Sequence, residues 1–318
     1  KKLDFRNPVS IDLMSFSKLN PNVVFYVIKR SLGAGLFSNL IYVLNHLNIA
    51  DKNRFIPIVD MKNFTTIYNE KNKIDSNYNA WEYYFENVSK YSLQEVYKSQ
   101  NVIITKDKFF KNFSNVISNK KFRKIGDRYF KIKKKFNKIS DNYFKKNLNE
   151  KTLAIHYRGT SYKTSANHPF PATINNTIEY CKFLLRKYGY KKIFLCTEDL
   201  ELFNEMKKNF KSNLYSLNSY RSFKDDAFKI YPRKNHRYKL GKEILVESLI
   251  ISKCSGFLHA GTNVSEFVKF LDKQNKIRFF FLDNGLNTSN EYLAPYLWYF
   301  KNIAPEALGG FKKIKYNK

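Results

Sequence analysis

The sequence is short of cysteine, of acidic charge and of long apolar runs, and each shortage removes a class of protein. Its three cysteines, Cys181, Cys196 and Cys254, are scattered and without CxxC spacing. That argues against a disulfide framework and a cysteine-built zinc site, and it fits a reducing compartment. No apolar stretch approaches the roughly 20 residues of a membrane span. The first residues hold neither a signal-peptide apolar segment nor a cleavage site, and the chain starts on Lys1 instead of Met, as a trimmed sequence would. The expectation is a cytoplasmic protein, with any membrane contact peripheral and on the inner face.

Acidic residues number 27 against 57 Lys plus Arg, a formal net charge of +30. Such a chain is drawn to phosphate in any form. Three readings of the charge stand at this point. An AT-rich coding sequence writes Lys and Asn across a tolerant surface; or the charge attracts an anionic membrane or glycolipid; or it binds nucleic acid. No RNP, KH or zinc-finger signature accompanies it, so no nucleic-acid partner is expected. A basic nucleic-acid-binding protein remains the alternative from another class.

What is present is alternation. Asn22–Lys29 reads as a buried strand, followed by Ser31-Leu32-Gly33-Ala34-Gly35 and a helix from Leu36 to Ala50, then strands at Phe55–Val59 and Val102–Thr105. A second cycle sets strands at Thr152–Tyr157, Lys192–Cys196, Gly256–His259 and Arg278–Leu282 against helices at Thr177–Lys187, Glu201–Asn209, Lys242–Lys253 and Val264–Leu271. Strands alternating with helices predict parallel sheets. The expected architecture is α/β: two Rossmann-like domains facing a cleft, residues 1–150 and 151–318, the second ending in a return segment. Between them, apolar residues from Phe122 to Tyr143 step by three and four, which predicts one long amphipathic helix over 121–146. Its outer lysines suit a core-packed helix or one lying on a membrane.

In open parallel sheets ligands sit at the carboxyl ends of strands. Four polar groups fall there: Gly33–Asn39, His156–Thr160, Thr197-Glu198-Asp199 and Gly261-Thr262-Asn263. Gly33 and Gly35 let a backbone approach a ligand, and the helix start offers free N–H groups. Ser38 stands where a dinucleotide fingerprint has its third glycine, so a bare tight turn is the other reading. Arg158 offers a planar fork for two phosphate oxygens, with His156 on the same face of the strand; a structural ion pair is its alternative. Thr197, Glu198 and Asp199 either accept from a ribose or base, or cap the helix that follows.

HYRGT followed by KTSANHP, at 156–160 and 163–169, resembles the His-x-Arg-Arg/Gly-Thr…His-Pro segment of the GT-B fucosyltransferases of the α1,6 and nodulation type. Gly33–Asn39 is similar to that family's glycine loop. Asn79–Ser89, with Trp81 and Glu82, resembles its Trp-Glu-x-x-Phe stretch, and Phe194–Asp199 its Leu-Ala-Thr-Asp-Asp stretch. Asn235–Tyr238, Glu247, Phe257 and Thr262-Asn263-Val264 resemble its closing nucleotide-binding motif. The resemblance spans roughly residues 22–283.

The resemblance implies an inverting, metal-independent transferase that moves L-fucose from GDP-fucose to a glycan or lipid-linked acceptor, as in bacterial surface polysaccharide synthesis. It implies no cofactor, the GDP-sugar being a substrate. Arg158 would grip the β-phosphate with His156 behind it. Gly33, Gly35, Ser38, Asn39, Thr160, Thr197, Glu198, Asp199 and Glu247 would line the donor, and Thr262 and Asn263 the phosphates. Asp225-Asp226 reads as a solvated acidic pair and not a metal-binding motif. One departure stands out: the α1,6 enzymes carry a glutamate before His-Pro, and here the stretch is Ser165-Ala166-Asn167-His168. His168 and Glu82 are the candidate bases, and the linkage is left open. A GT-B transferase for another GDP-sugar is the nearest alternative.

Overall fold

The computed structural model describes residues 12–30, 33–105 and 120–312. The chain forms two compact units, Lys1–Asn137 with Tyr231–Lys242, and Lys138–Ile230 with Glu243–Lys318. The boundary expected near 150 falls just after a helix, whereas the division comes inside that helix and returns 231–242 to the first unit.

The first unit holds a four-stranded sheet made of β1 (Leu13–Met14), β2 (Leu19–Ile28), β3 (Ile56–Val59) and β4 (Ser99–Ile104), in the order β1-β4-β2-β3. β2 runs parallel to both β3 and β4, and β1 closes the edge antiparallel. Helix α1 (Leu36–Asn53) is buried on most of its surface, because apolar side chains recur on nearly every turn face. A one-turn helix, α2 (Leu93–Val96), is fixed by a capping box between Ser92 and Glu95. The aromatic stretch after Asn79 packs inward: Trp81, Tyr83, Tyr84 and Phe85 are all buried.

The single helix expected over 121–146 is two, α3 (Lys120–Tyr129) and α4 (Lys134–Asn147). The break has a tertiary cause. Ile132 pairs with Phe85 in an isolated β-bridge, Glu86 N–H donates to Lys131 O at 2.8 Å, and Lys133 N–H donates to Tyr84 O at 3.0 Å. Lys133 and Lys135 share a single partner, Asp75, so the three side chains keep a net positive charge.

The second unit holds five parallel strands: β5 (Thr152–Tyr157), β6 (Lys192–Thr197), β7 (Leu214–Tyr215), β8 (Gly256–His259) and β9 (Arg278–Phe281). Their order is β7-β6-β5-β8-β9. Every residue of β5 is buried, as a central strand covered on both faces requires. The helices are α5 (Ile174–Tyr188), α6 (Leu200–Phe210), α8 (Asn263–Leu271), α9 (Ala294–Ile303) and, from Glu243 onward, α7 (His236–Ile251), whose first part belongs to the first unit. α5 starts where Thr173 Oγ1 accepts from Asn176 N–H and stops at Gly189. Among the described residues no helix is long and apolar enough to cross a membrane.

Candidate active site

The strand order reverses between β5 and β8, with both strands leaving the sheet centre in the same direction. Such a switch point opens a crevice at the carboxyl ends. His156 and His259 face each other there in register. Both are buried, and burial draws their pKa values down, His156 to about 3 and His259 to about 4. The Arg158 charge adds to the first shift and Lys269 to the second. Both imidazoles are therefore neutral near pH 7.

Each is fixed by a local contact. Gly261 N–H donates to His259 Nδ1 at 3.1 Å, so the remaining proton sits on Nε2. His156 Nδ1 lies 3.2 Å from Thr262 Oγ1. Gly261 has φ +73°, a left-handed turn that an L side chain adopts only with strain. That turn delivers Thr262 and Asn263 to the start of α8, where Thr262 N–H donates to Ser265 Oγ at 3.0 Å. Asn263 is exposed in the first turn.

Arg158 leaves β5 exposed, with Nε 3.4 Å from Ser161 Oγ and the guanidinium 4.9 Å from the Tyr162 ring centroid. The Tyr162 ring also packs against His168, at 4.8 Å between centroids. His168 Nδ1–H donates to Ala166 O at 2.8 Å, which leaves Nε2 as the acceptor nitrogen of the neutral ring. Gly159 is required by close approach: a Cβ there would lie 2.1 Å from Asp199 Oδ2.

The Thr197-Glu198-Asp199 group divides its work. Asp199 is the N-cap of α6, accepting from Leu202 N–H at 3.0 Å, and Thr197 Oγ1 accepts from Asp199 N–H at 3.1 Å. Glu198 is half-buried, accepts from Thr160 Oγ1 at 3.3 Å, and has its pKa raised by burial against the opposing pull of Arg158. Glu247 is deeper. It accepts from Ser219 Oγ at 2.6 Å and from Cys196 Sγ at 3.0 Å, and burial pushes its pKa up to about 7. Asp226 is not merely solvated, since it accepts from Tyr220 OH at 2.9 Å and Ser222 Oγ at 2.8 Å; Asp225 pairs with Lys229.

The remaining candidates lie in the first unit. Gly33 has φ +94° and Gly35 is the N-cap of α1, while Ser31 and Leu32 lie outside the described residues. Ser38 Oγ and Asn39 Oδ1 accept from Arg30, at 3.4 and 3.3 Å. Leu36 N–H, expected to be open to an anion, donates to Tyr68 OH at 2.9 Å. Glu82 sits on the short helix after Asn79, and its two oxygens accept from Asn77 Nδ2 at 2.6 Å and Asn79 Nδ2 at 2.9 Å.

His259, Tyr162, Lys163 and Arg30 were not picked out from the sequence. His259 had a readable signal, since it ends a strand one turn before Gly261-Thr262-Asn263. Lys163 did not: its Nζ lies 3.0 Å from Asp199 Oδ2, a partner remote in sequence. A cavity of about 660 Å³ borders Thr160 and Lys163 and is walled by Glu201, Phe223, Trp298 and Tyr299. Arg158, His156 and Thr262 do not line it, so volume alone would point away from the switch point.

No family model and no curated protein matches the sequence. Solved structures do. The chain is similar to a NodZ α-1,6-fucosyltransferase co-crystallised with GDP, at 12% identity and TM-score 0.52, over 83% of this chain and 97% of that one. It is similar to fucosyltransferase NodZ from Bradyrhizobium at 12% identity and TM-score 0.53, over 84% and 99% of the two chains. A NodZ structure soaked with GDP-fucose gives 11% identity and TM-score 0.50, over 82% and 100%. What is shared at this identity is the fold: this chain is built like the NodZ fucosyltransferases along nearly their whole length.

Proposed function

We propose that the chain is a glycosyltransferase that transfers L-fucose from GDP-fucose to a glycan or glycolipid acceptor, with inversion and without a metal. The observation that carries this reading is the cluster at the β5/β8 switch point, where Arg158, two neutral imidazoles and the start of α8 come together in one fold unit. It is supported by the shared fold with proteins crystallised with GDP or soaked with GDP-fucose.

The chemistry asks for such a cluster. As the glycosidic bond to the departing diphosphate breaks, negative charge grows on the β-phosphate and positive charge on the sugar. Arg158 stabilises the first through two parallel N–H···O bonds. His156, kept uncharged, holds Thr262 at the start of α8, whose N–H groups favour the same anion. Glu198, tuned by Arg158 and bonded to Thr160, orients the loop that presents the guanidinium. Thr197 and Asp199 act by holding that loop and α6. Glu247 acts from beneath β6, through Ser219, on the wall of the donor site. His168 is the stronger candidate base, because its Nδ1–H is engaged by Ala166 O, which leaves Nε2 as the acceptor of the neutral ring, while both Glu82 oxygens already accept amide protons. Within the first unit, Arg30 donates to Ser38 and Asn39 and so fixes the turn that follows Gly33 and Gly35.

The test is release of GDP from a set of GDP-sugars in excess EDTA. Turnover should persist with GDP-fucose and be weak with GDP-mannose. Turnover abolished by chelation and restored by Mn²⁺ or Mg²⁺ would overturn the metal-free reading. Preference for another GDP-sugar would move the assignment to the neighbouring transferase, since the phosphate grip does not read the sugar.

A further inference from the structure

The end of the second unit presents an apolar stripe that the transferase reading does not use. In Tyr292–Ile303 (YLAPYLWYFKNI), Tyr292, Leu293, Tyr296, Tyr299, Phe300 and Ile303 recur at i, i+1, i+4, i+7, i+8 and i+11. That spacing puts them on one face of a helix. In a globular domain such a face normally packs inward. Here it points outward: all six are between 50% and 88% exposed.

The opposite face of α9 is what the core holds. Ala294 and Trp298 are buried, Trp298 Nε1–H donates to Pro171 O at 2.9 Å, and Asn287 Nδ2 donates to Ala294 O at 3.0 Å. These contacts fix which side of the helix faces out. The stripe contains no charged residue, and contiguous exposed apolar surface of this extent marks a contact site.

We infer that α9 lies on an anionic bilayer surface, with the stripe at the boundary between headgroups and acyl chains. Two features choose this occupant. First, the chain carries a formal +30, so a second copy is repelled while a negative lipid surface is attracted over the length of the screening distance. Second, three of the six side chains are tyrosines, whose rings suit the acyl boundary while their hydroxyls reach the headgroups, as in interfacial aromatic belts. Leu293, Phe300 and Ile303 supply the inserted apolar surface between them. This places the inserted apolar surface on α9, with basic side chains elsewhere on the chain supplying attraction to the anionic headgroups.

The experiment is flotation of the full chain with vesicles of phosphatidylcholine alone or mixed with phosphatidylglycerol. The wild type should float with the anionic vesicles and not with the neutral ones. The variant Tyr296→Ser/Phe300→Ser/Ile303→Ser should lose about tenfold or more in partitioning, with unchanged circular dichroism, since all three side chains leave only solvent-exposed positions. A second variant, Tyr296→Trp, should show an emission blue shift and quenching by brominated lipid only with anionic vesicles; the native Trp81 and Trp298 are buried and give a constant background. Failure of the wild type to float, equal flotation of the triple variant, or no spectral change with Tyr296→Trp would each overturn the inference. So would a concentration-dependent dimer in sedimentation that the triple variant abolishes, because a second copy would then be what covers the stripe.

Discussion

Arg158→Ala is expected to lower turnover by about a hundred- to a thousand-fold, roughly 3 kcal/mol of lost transition-state stabilisation, in a protein that still folds. Folding should survive because Arg158 is exposed just past the end of β5, so truncating it opens no cavity in the core. Arg158→Lys keeps the charge but cannot span two oxygens, so it should recover only part of the loss. GDP affinity should fall less than turnover, since part of the interaction strengthens only as the bond breaks. Steady-state GDP release by the three proteins checks this. Near-normal turnover in a folded Arg158→Ala protein would mean that the arginine is not the phosphate grip.

Lys163→Met is expected to destabilise the second unit by about 3–5 kcal/mol, the usual loss when one member of a buried ion pair is removed. Lys163 Nζ lies 3.0 Å from Asp199 Oδ2 and 3.6 Å from Glu201 Oε2, and 4.8 Å from the Trp298 ring centroid. The Asp199 side chain is only 2% exposed, so without the lysine its charge stays buried with no counter-ion. Methionine fills the stem volume, which isolates the charge from the packing. Asp199→Asn added to Lys163→Met should recover part of the stability, because the amide oxygen keeps the α6 cap. Urea unfolding midpoints of the two single variants and the double variant measure the coupling. A Lys163→Met protein within about 1 kcal/mol of wild type would mean that water, not the lysine, solvates Asp199.

The second unit was largely legible in the sequence, and the reason is burial. Leu153-Ala154-Ile155, Ile193-Phe194-Leu195 and Gly256-Phe257-Leu258 are unbroken apolar runs because both faces of β5, β6 and β8 are covered. Asp199 as a cap was readable from its place before a helix. The break between α3 and α4 was not, because the steps Tyr129, Ile132, Phe136 satisfy a helical period whether or not the helix is continuous. A bridge to Phe85 decides it, and no local propensity reports that. The two-residue strands β1 and β7 carry too little pattern to detect. α9 was missed for a different reason: its apolar residues cover both faces, Trp298 toward the core and the tyrosines away from it, so the amphipathic signal cancels.

At the candidate site, the residues at strand ends were found by position, and their chemistry needed the structure. Nothing in HYRGT says that His156 is buried against Thr262 and stays neutral, or that Asp199 serves Lys163. The bonds that set protonation and orientation join residues distant in sequence, so spacing cannot reveal them.

If the switch-point cluster is a nucleoside diphosphate site, its grip is on the β-phosphate. Isothermal titration of the full chain with GDP, GMP and UDP tests this most directly. GDP should bind with GMP weaker by about tenfold or more, the worth of a charge-assisted pair, and UDP should bind weakly because the base is not guanine. GMP binding as tightly as GDP, or no difference between GDP and UDP, would contradict it.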